Sequence, residues 1–71
     1  MKSYTAKELI EEISTADFVR GDVHLNAAET VTARIKKRSL IEKLEKKDQN
    51  DNCYFASIFI DDKGRKHIKF T

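Results

Sequence analysis

The last stretch of the chain, from residue 53 to residue 71, holds the densest apolar run, the clearest turn signal and a basic final strand. Its two strand-like runs flank Asp61-Asp62-Lys63-Gly64, which is typical of a type I turn closed by a left-handed glycine. This three-residue loop pairs Asp61 with Arg65 and predicts a β-hairpin at the middle of a sheet. One face then carries Ala56, Ile58, Ile60, Lys66, Ile68 and Phe70, and the other carries Cys53, Phe55, Ser57, Phe59, His67 and Lys69. A loop of two or four residues would instead place Phe59 beside Ile68.

Two short amphipathic helices are predicted from their caps and apolar stripes. Thr5 with Glu8, and Ser39 with Glu42, have the spacing of a capping box, in which hydroxyl and carboxylate each accept from a backbone amide. Apolar residues then recur at helical spacing on one side, with charged residues on the other. The predicted helices cover about residues 6–14 and 40–47.

Between the helices the pattern predicts strands. Phe18–Leu25 alternates at its end and is interrupted by a turn or bulge at Gly21-Asp22. Thr30–Arg38 is ambiguous, because a helix starting at Ala27 would also align some of its apolar residues. Its alternation and β-branched content favour a strand, which the predicted cap at Ser39 would end.

Together these elements predict one domain over residues 1–71 with an α+β fold. The expected order is α-β-β-α-β-β, in a small antiparallel sheet of about four strands. Both helices should pack on one face of this sheet, since each apolar stripe is short. The other face would then need a different cover, and a homodimer is one way to supply it.

Composition places the chain among small folded proteins. Of 71 residues, 39% are hydrophobic and 37% charged, which leaves enough apolar residues for a core. The single cysteine, Cys53, cannot form an intramolecular disulfide, and a reducing, cytoplasmic location is expected. No signal peptide, membrane span, metal-binding cluster or cofactor motif is visible, so neither a membrane nor a small-molecule substrate is expected.

Charge is distributed unevenly along the chain, although the formal net charge is only +2. The first 33 residues are acidic, and the middle of the chain is basic. Alternate residues of a strand project from one face, so a basic strand can follow a phosphate backbone; a charged, solvated edge strand is the alternative. The candidate nucleic-acid-binding residues are Arg34, Lys36, Lys37 and Arg38, extended by Lys63, Arg65 and Lys66.

The second hairpin face is the other candidate site. It combines aromatic rings with cationic groups, which can stack on unpaired bases and neutralise phosphate. The same rings would equally suit a covered core or an interface with another protein. The residues concerned are Phe55, Phe59, His67 and Lys69.

No residue pattern predicts catalysis. His24 has Asp22 nearby as an orienting carboxylate, but such pairs are usually surface contacts. Cys53 has no neighbouring base that would lower its pKa. The chain is therefore expected not to be an enzyme.

One family resemblance is visible near the start of the chain. Lys2-Ser3 and Glu8-Leu9-Ile10, followed by Arg20-Gly21 ahead of His24, resemble the opening of small RNA-cleaving toxins of the HicA type. In that family the histidine directly follows Gly-Ser or Gly-Thr, whereas here Asp22 and Val23 intervene. The later part of the chain also departs from the family's three strands and final helix. The resemblance implies a small RNase as a remote alternative.

The sequence thus predicts a small non-enzymatic regulatory binding module. Its favoured contact is nucleic acid, through the basic strand. The alternative is a protein-interaction or inhibitor module that docks its exposed sheet face on a larger protein or forms a homodimer.

Overall fold

Two helices and six short strands make up the described part of the chain, which comprises residues 2–26, 29–32, 36–50 and 54–70 of a computed structural model. The elements are β1 (Lys2–Tyr4), α1 (Ala6–Thr15), β2 (Phe18–Arg20), β3 (Asp22–Asn26), β4 (Glu29–Thr32), α2 (Lys37–Glu45), β5 (Tyr54–Ile60) and β6 (Lys66–Phe70). The predicted α+β class is confirmed, with two strands more than predicted: β1 precedes the first helix, and the predicted strand over Phe18–Leu25 is divided into β2 and β3.

The hairpin of β5 and β6 lies at the centre of the main sheet, as predicted. The Gly64 amide donates to the Asp61 carbonyl at 3.0 Å, and the Asp61 amide donates to the Arg65 carbonyl at 2.9 Å. Gly64 is left-handed, with φ of 79°. Ile58 pairs with Ile68. The three-residue loop is confirmed, as is the assignment of the two faces for residues 55–60 and 66–70, whereas Cys53 lies outside the described residues.

The main sheet has four strands in the order β1-β5-β6-β2, and β3 and β4 form a separate two-stranded ribbon. It is mixed rather than wholly antiparallel, because β2 pairs with β6 in parallel. Asp17 holds the start of β2 beside the start of β6. Its amide donates to the Lys66 carbonyl at 2.9 Å, and its carboxylate accepts from the Lys66 amide at 2.8 Å. These two bonds start β2 alongside the first residue of β6.

Helix α1 begins at the predicted capping box. The Glu8 amide donates to Thr5 Oγ1 at 3.1 Å, and the Thr5 amide donates to Glu8 Oε1 at 2.9 Å. Two backbone donors that the first turn would leave unpaired are thereby satisfied. Leu9 and Ile13 follow on the buried stripe.

Helix α2 corrects the prediction for the basic middle of the chain. It starts at Lys37, with Lys36 as a cap that makes no side-chain bond, so the predicted capping box at Ser39 is wrong. The predicted strand through Arg38 is also wrong at its end, because Lys37 and Arg38 belong to α2, while β4 covers Glu29–Thr32. Lysine and arginine are good helix formers, and the Lys37 ammonium donates to the Ala16 carbonyl just beyond α1. Residues 33–35, including Arg34, lie outside the described residues.

One core joins both helices to a single face of the main sheet. Leu40 and Leu44 of α2 are fully buried in it, as is Ile68 at the centre of the hairpin. The ribbon contributes Val23 and Leu25 to the same core. The predicted packing of two helices on one face is thus confirmed, and the other face of the sheet carries no helix within the described residues.

Candidate functional site

The face of the main sheet that the helices leave uncovered is called the open face below. Strand register places its side chains in rows, because paired residues on neighbouring strands project to the same side. The ring row crosses β2, β6 and β5 and consists of Phe18, His67 and Phe59. The polar row beside it consists of Arg20, Lys69 and Ser57.

The three rings of the ring row stack on one another. The His67 and Phe59 centroids are 4.6 Å apart with an interplanar angle of 4°. On the other side, the His67 and Phe18 centroids are 4.8 Å apart at 27°. Phe59 is 52% exposed and Phe18 38% exposed, so the stack is accessible at the surface. Spacing and angles both lie in the range of favourable offset stacking.

Asp61 fixes the orientation of the central ring. Its Oδ2 lies 2.8 Å from His67 Nε2, while its Oδ1 accepts from the Lys63 and Arg65 amides at 2.9 Å each. The hydrogen bond with His67 and these two backbone bonds lower the pKa of Asp61 below its ordinary value of 3.8. The carboxylate therefore links the hairpin turn to the ring row.

This lowered pKa predicts a pH dependence of stability. Because folding depresses the Asp61 pKa, its contribution is complete above pH 3.8 and is lost as the pH falls through the folded-state value. Asp61→Asn should therefore flatten the acid limb of the unfolding free energy measured by urea denaturation. Asp62→Asn is the matched control, since that exposed carboxylate makes no hydrogen bond within the described residues. Equal acid limbs for Asp61→Asn and the parent chain would contradict the prediction.

Cationic groups surround the ring row. Lys69 and Arg20 pair with each other two residues further along β6 and β2 than His67 and Phe18. The Arg65 guanidinium lies over the Phe18 ring, 5.9 Å from its centroid, in a cation–π arrangement. A shallow depression is lined by Arg20, Phe59, His67, Ile68 and Lys69. Rings and cations thus occupy adjoining parts of one surface.

The basic cluster predicted from the sequence does not form one strand. Lys36 caps α2, while Lys37 and Arg38 occupy its first turn, with Lys37 bonded to Ala16. Lys66 is held on the helix side by Thr15 Oγ1 at 2.7 Å and Glu12 Oε2 at 3.1 Å. Lys63 lies in the exposed hairpin turn. Only Arg65 of the predicted nucleic-acid set adjoins the ring row, and Arg34 is outside the described residues.

All four residues of the predicted exposed face lie on the open face, but Phe55 lies apart from the other three. Phe59, His67 and Lys69 share the open face with Phe55, which is 52% exposed and lies away from the ring row, beside Ser3 of β1. Phe18 and Arg20 were not predicted as site residues. Both lie in the predicted strand over Phe18–Leu25, but the sequence did not show that this segment pairs in parallel with β6, which brings them to this face.

Among the described residues, the other chemistry-bearing side chains form no further site. His24 lies on the ribbon, with Nδ1 3.0 Å from Thr30 Oγ1, and Asp22 instead accepts from the Thr32 hydroxyl at 3.2 Å. Cys53 lies outside the described residues. Within residues 2–26, 29–32, 36–50 and 54–70, no three metal-binding side chains cluster. Neither helix in those ranges is long and apolar enough to span a membrane.

Comparisons with known protein families, with curated proteins and with solved structures give no significant match to this chain. The open face must therefore be interpreted from its own geometry.

Proposed function

We propose that the open face binds single-stranded nucleic acid. The observation that supports this best is the ring row lying directly beside two cations, Arg20 on β2 and Lys69 on β6. Stacking on aromatic side chains combined with neutralisation of the backbone is the usual basis of single-strand binding without sequence preference. A duplex, whose bases are already stacked, would not use the ring row.

The charge of the open face favours a polyanion. The described hairpin turn holds two carboxylates: Asp61, whose oxygens are already engaged by His67 and two backbone amides, and the exposed Asp62. Arg20, Lys69 and Arg65 contribute three positive charges without a carboxylate partner in the described part of the chain. This surface differs from the sequence-based hypothesis, in which a basic strand made the main contact.

Salt dependence tests the proposal. A labelled single strand of about 12 nucleotides should bind with an affinity that falls steeply between roughly 50 and 200 mM salt. Arg20→Ala combined with Lys69→Ala removes two phosphate contacts and should reduce the slope of log K against log salt by about 1.4, since each contact contributes about 0.7 for a single strand. Fluorescence anisotropy over a salt series measures both slopes.

The matched control is Lys36→Ala combined with Arg38→Ala, which removes the same charge from the exposed start of α2. This control should leave the salt slope unchanged. A reduced slope in the control, with none in the Arg20 and Lys69 variant, would move the contact to α2 and refute the proposed surface. Absence of salt-dependent binding by the parent chain would refute the proposed function.

A protein partner is the second candidate, favoured by one observation at the end of the hairpin. Ile60 is 61% exposed although it projects to the helix side of the sheet, and Phe59 beside it is 52% exposed. The two side chains project to opposite sides of β5, so a protein that wraps around this end of the hairpin would cover both. A second copy of this chain would appear in sedimentation as concentration-dependent mass.

A further inference from the structure

The ring row ends on an uncovered aromatic face. His67 covers the side of Phe59 that faces β6. The other side faces β1, but the register of β1 ends with Lys2 opposite Ala56, three positions before Phe59. Thus no described residue of β1 lies beside the Phe59 ring, in agreement with its 52% exposure. The stack has room for one more planar group at this end.

We propose that the free face of Phe59 is a stacking subsite for one unpaired nucleobase. The inference rests on the proposed function and assigns the base contact to a single position of the open face. Every base has a π-face, so a base stacked here would extend the row of Phe18, His67 and Phe59 by one layer. The other rings are less available, because His67 is covered on both sides and Phe18 lies between His67 and the Arg65 guanidinium region.

The backbone of β5 supplies polar groups next to this subsite. The Asp61 amide bonds the Arg65 carbonyl, so hydrogen-bonded pairs toward β6 fall at Asp61, Phe59 and Ser57. The amides and carbonyls of Ile58 and Ile60 must then point to the opposite edge, where no described strand pairs with them. This edge offers both donors and acceptors to a base, and no single base is expected to be preferred strongly.

The polar row indicates the path of the nucleic-acid backbone across the open face. Ser57 precedes Phe59 on the same face of β5, and its partner on β6 is Lys69. Lys69 in turn pairs with Arg20. A base on Phe59 therefore places its own phosphate toward Ser57 and Lys69, and the next phosphate within reach of Arg20.

Phe59→Ala tests the subsite in the anisotropy assay with the same labelled single strand. Loss of one stacked base should weaken binding about 5- to 150-fold. Phe55→Ala is the control, because Phe55 has the same exposure on the same strand but lies outside the ring row; it should change affinity by less than about twofold. Phe59→Trp should bind as well as the parent chain, since indole provides an equal or larger stacking face. Urea denaturation should confirm that all three variants remain folded.

The ligand provides a second, independent measurement. A single strand of abasic residues should bind more weakly than the normal strand, and Phe59→Ala should cause no further loss on it. This non-additivity is the result expected when the base and the ring form one contact. Equal losses on the normal and the abasic strand would overturn the subsite.

The outcomes separate the subsite from the proposed function. If the parent chain binds with a steep salt slope while Phe59→Ala and Phe55→Ala behave alike, the subsite is refuted and the proposed function stands. If the parent chain does not bind at any salt concentration, both are refuted. If Phe59→Ala abolishes a dimer seen by sedimentation, the free face is occupied by a second copy of the chain, and the subsite is refuted.

Discussion

Gly21→Ala is expected to lower the free energy of unfolding by about 3 kcal/mol or more. Gly21 joins β2 to β3 with φ of 99°, a conformation that residues with a side chain rarely adopt. An added Cβ would also lie 2.2 Å from the Phe70 carbonyl oxygen. Since that neighbour is backbone in the central hairpin, it cannot rotate away as a flexible side chain could.

Gly64→Ala is the matched control for this prediction. Gly64 has a similar φ of 79°, but no atom lies within 4 Å of its added Cβ. It should lose only the conformational preference for glycine, about 1 kcal/mol. Urea denaturation of both variants isolates the cost of the close approach. Equal losses for the two variants would show that Phe70 does not approach Gly21 as the structure describes.

The same glycine shows where sequence-based inference succeeds and where it stops. A turn or bulge at Gly21 was predicted from the local residue pattern, as were the cap of α1 and the hairpin loop. All three depend on groups a few residues apart, whose chemistry the sequence states directly. The close contact of Gly21 with Phe70 joins residues far apart in the chain, and no local pattern contains it.

The parallel pairing of β2 and β6 could not be predicted for the same reason. It depends on Asp17 bonding the backbone of Lys66, between residues that the sequence separates by most of its length. This pairing decides the candidate site, because it carries Phe18 and Arg20 to the side of His67 and Lys69. From the sequence, the hairpin face held two phenylalanines with no assigned cover. The structure adds a third strand to that face and aligns the rings.

The start of α2 illustrates a different limit. Strand alternation and helical propensity both fit the basic segment, and the assignment depended on whether Ser39 caps a helix. In the structure the helix begins at Lys37, and the Lys37 ammonium satisfies the carbonyl of Ala16 near the end of α1. The helix therefore begins two residues before the predicted cap, and its first residue contacts another element. The proposed nucleic-acid contact moves with it from the basic segment to the open face.

Ile68→Ala should lower the free energy of unfolding by about 2 to 5 kcal/mol. Ile68 is fully buried at the centre of the hairpin, between its partners Ile58 on β5 and Val19 on β2. The cavity left by the lost side chain cannot close easily between two paired strands. A chain of 71 residues has a total stability of only about 4 to 11 kcal/mol, so this loss is a large part of it. Ile68→Val, expected to cost about 0.5 to 1.5 kcal/mol, gives a measurable step if the alanine variant does not fold.

Ile60→Ala provides the comparison, because Ile60 projects to the same side of the hairpin yet is 61% exposed. In the monomer it should change the free energy of unfolding by less than about 0.5 kcal/mol. Urea denaturation at several protein concentrations distinguishes two explanations of a larger loss. A loss that grows with concentration would show that a second copy covers Ile60 at this end of the hairpin. A small, concentration-independent change would show that Ile60 stays at the surface of the monomer. Phe59 projects to the opposite side of the sheet, so its exposure is tested separately by Phe59→Ala.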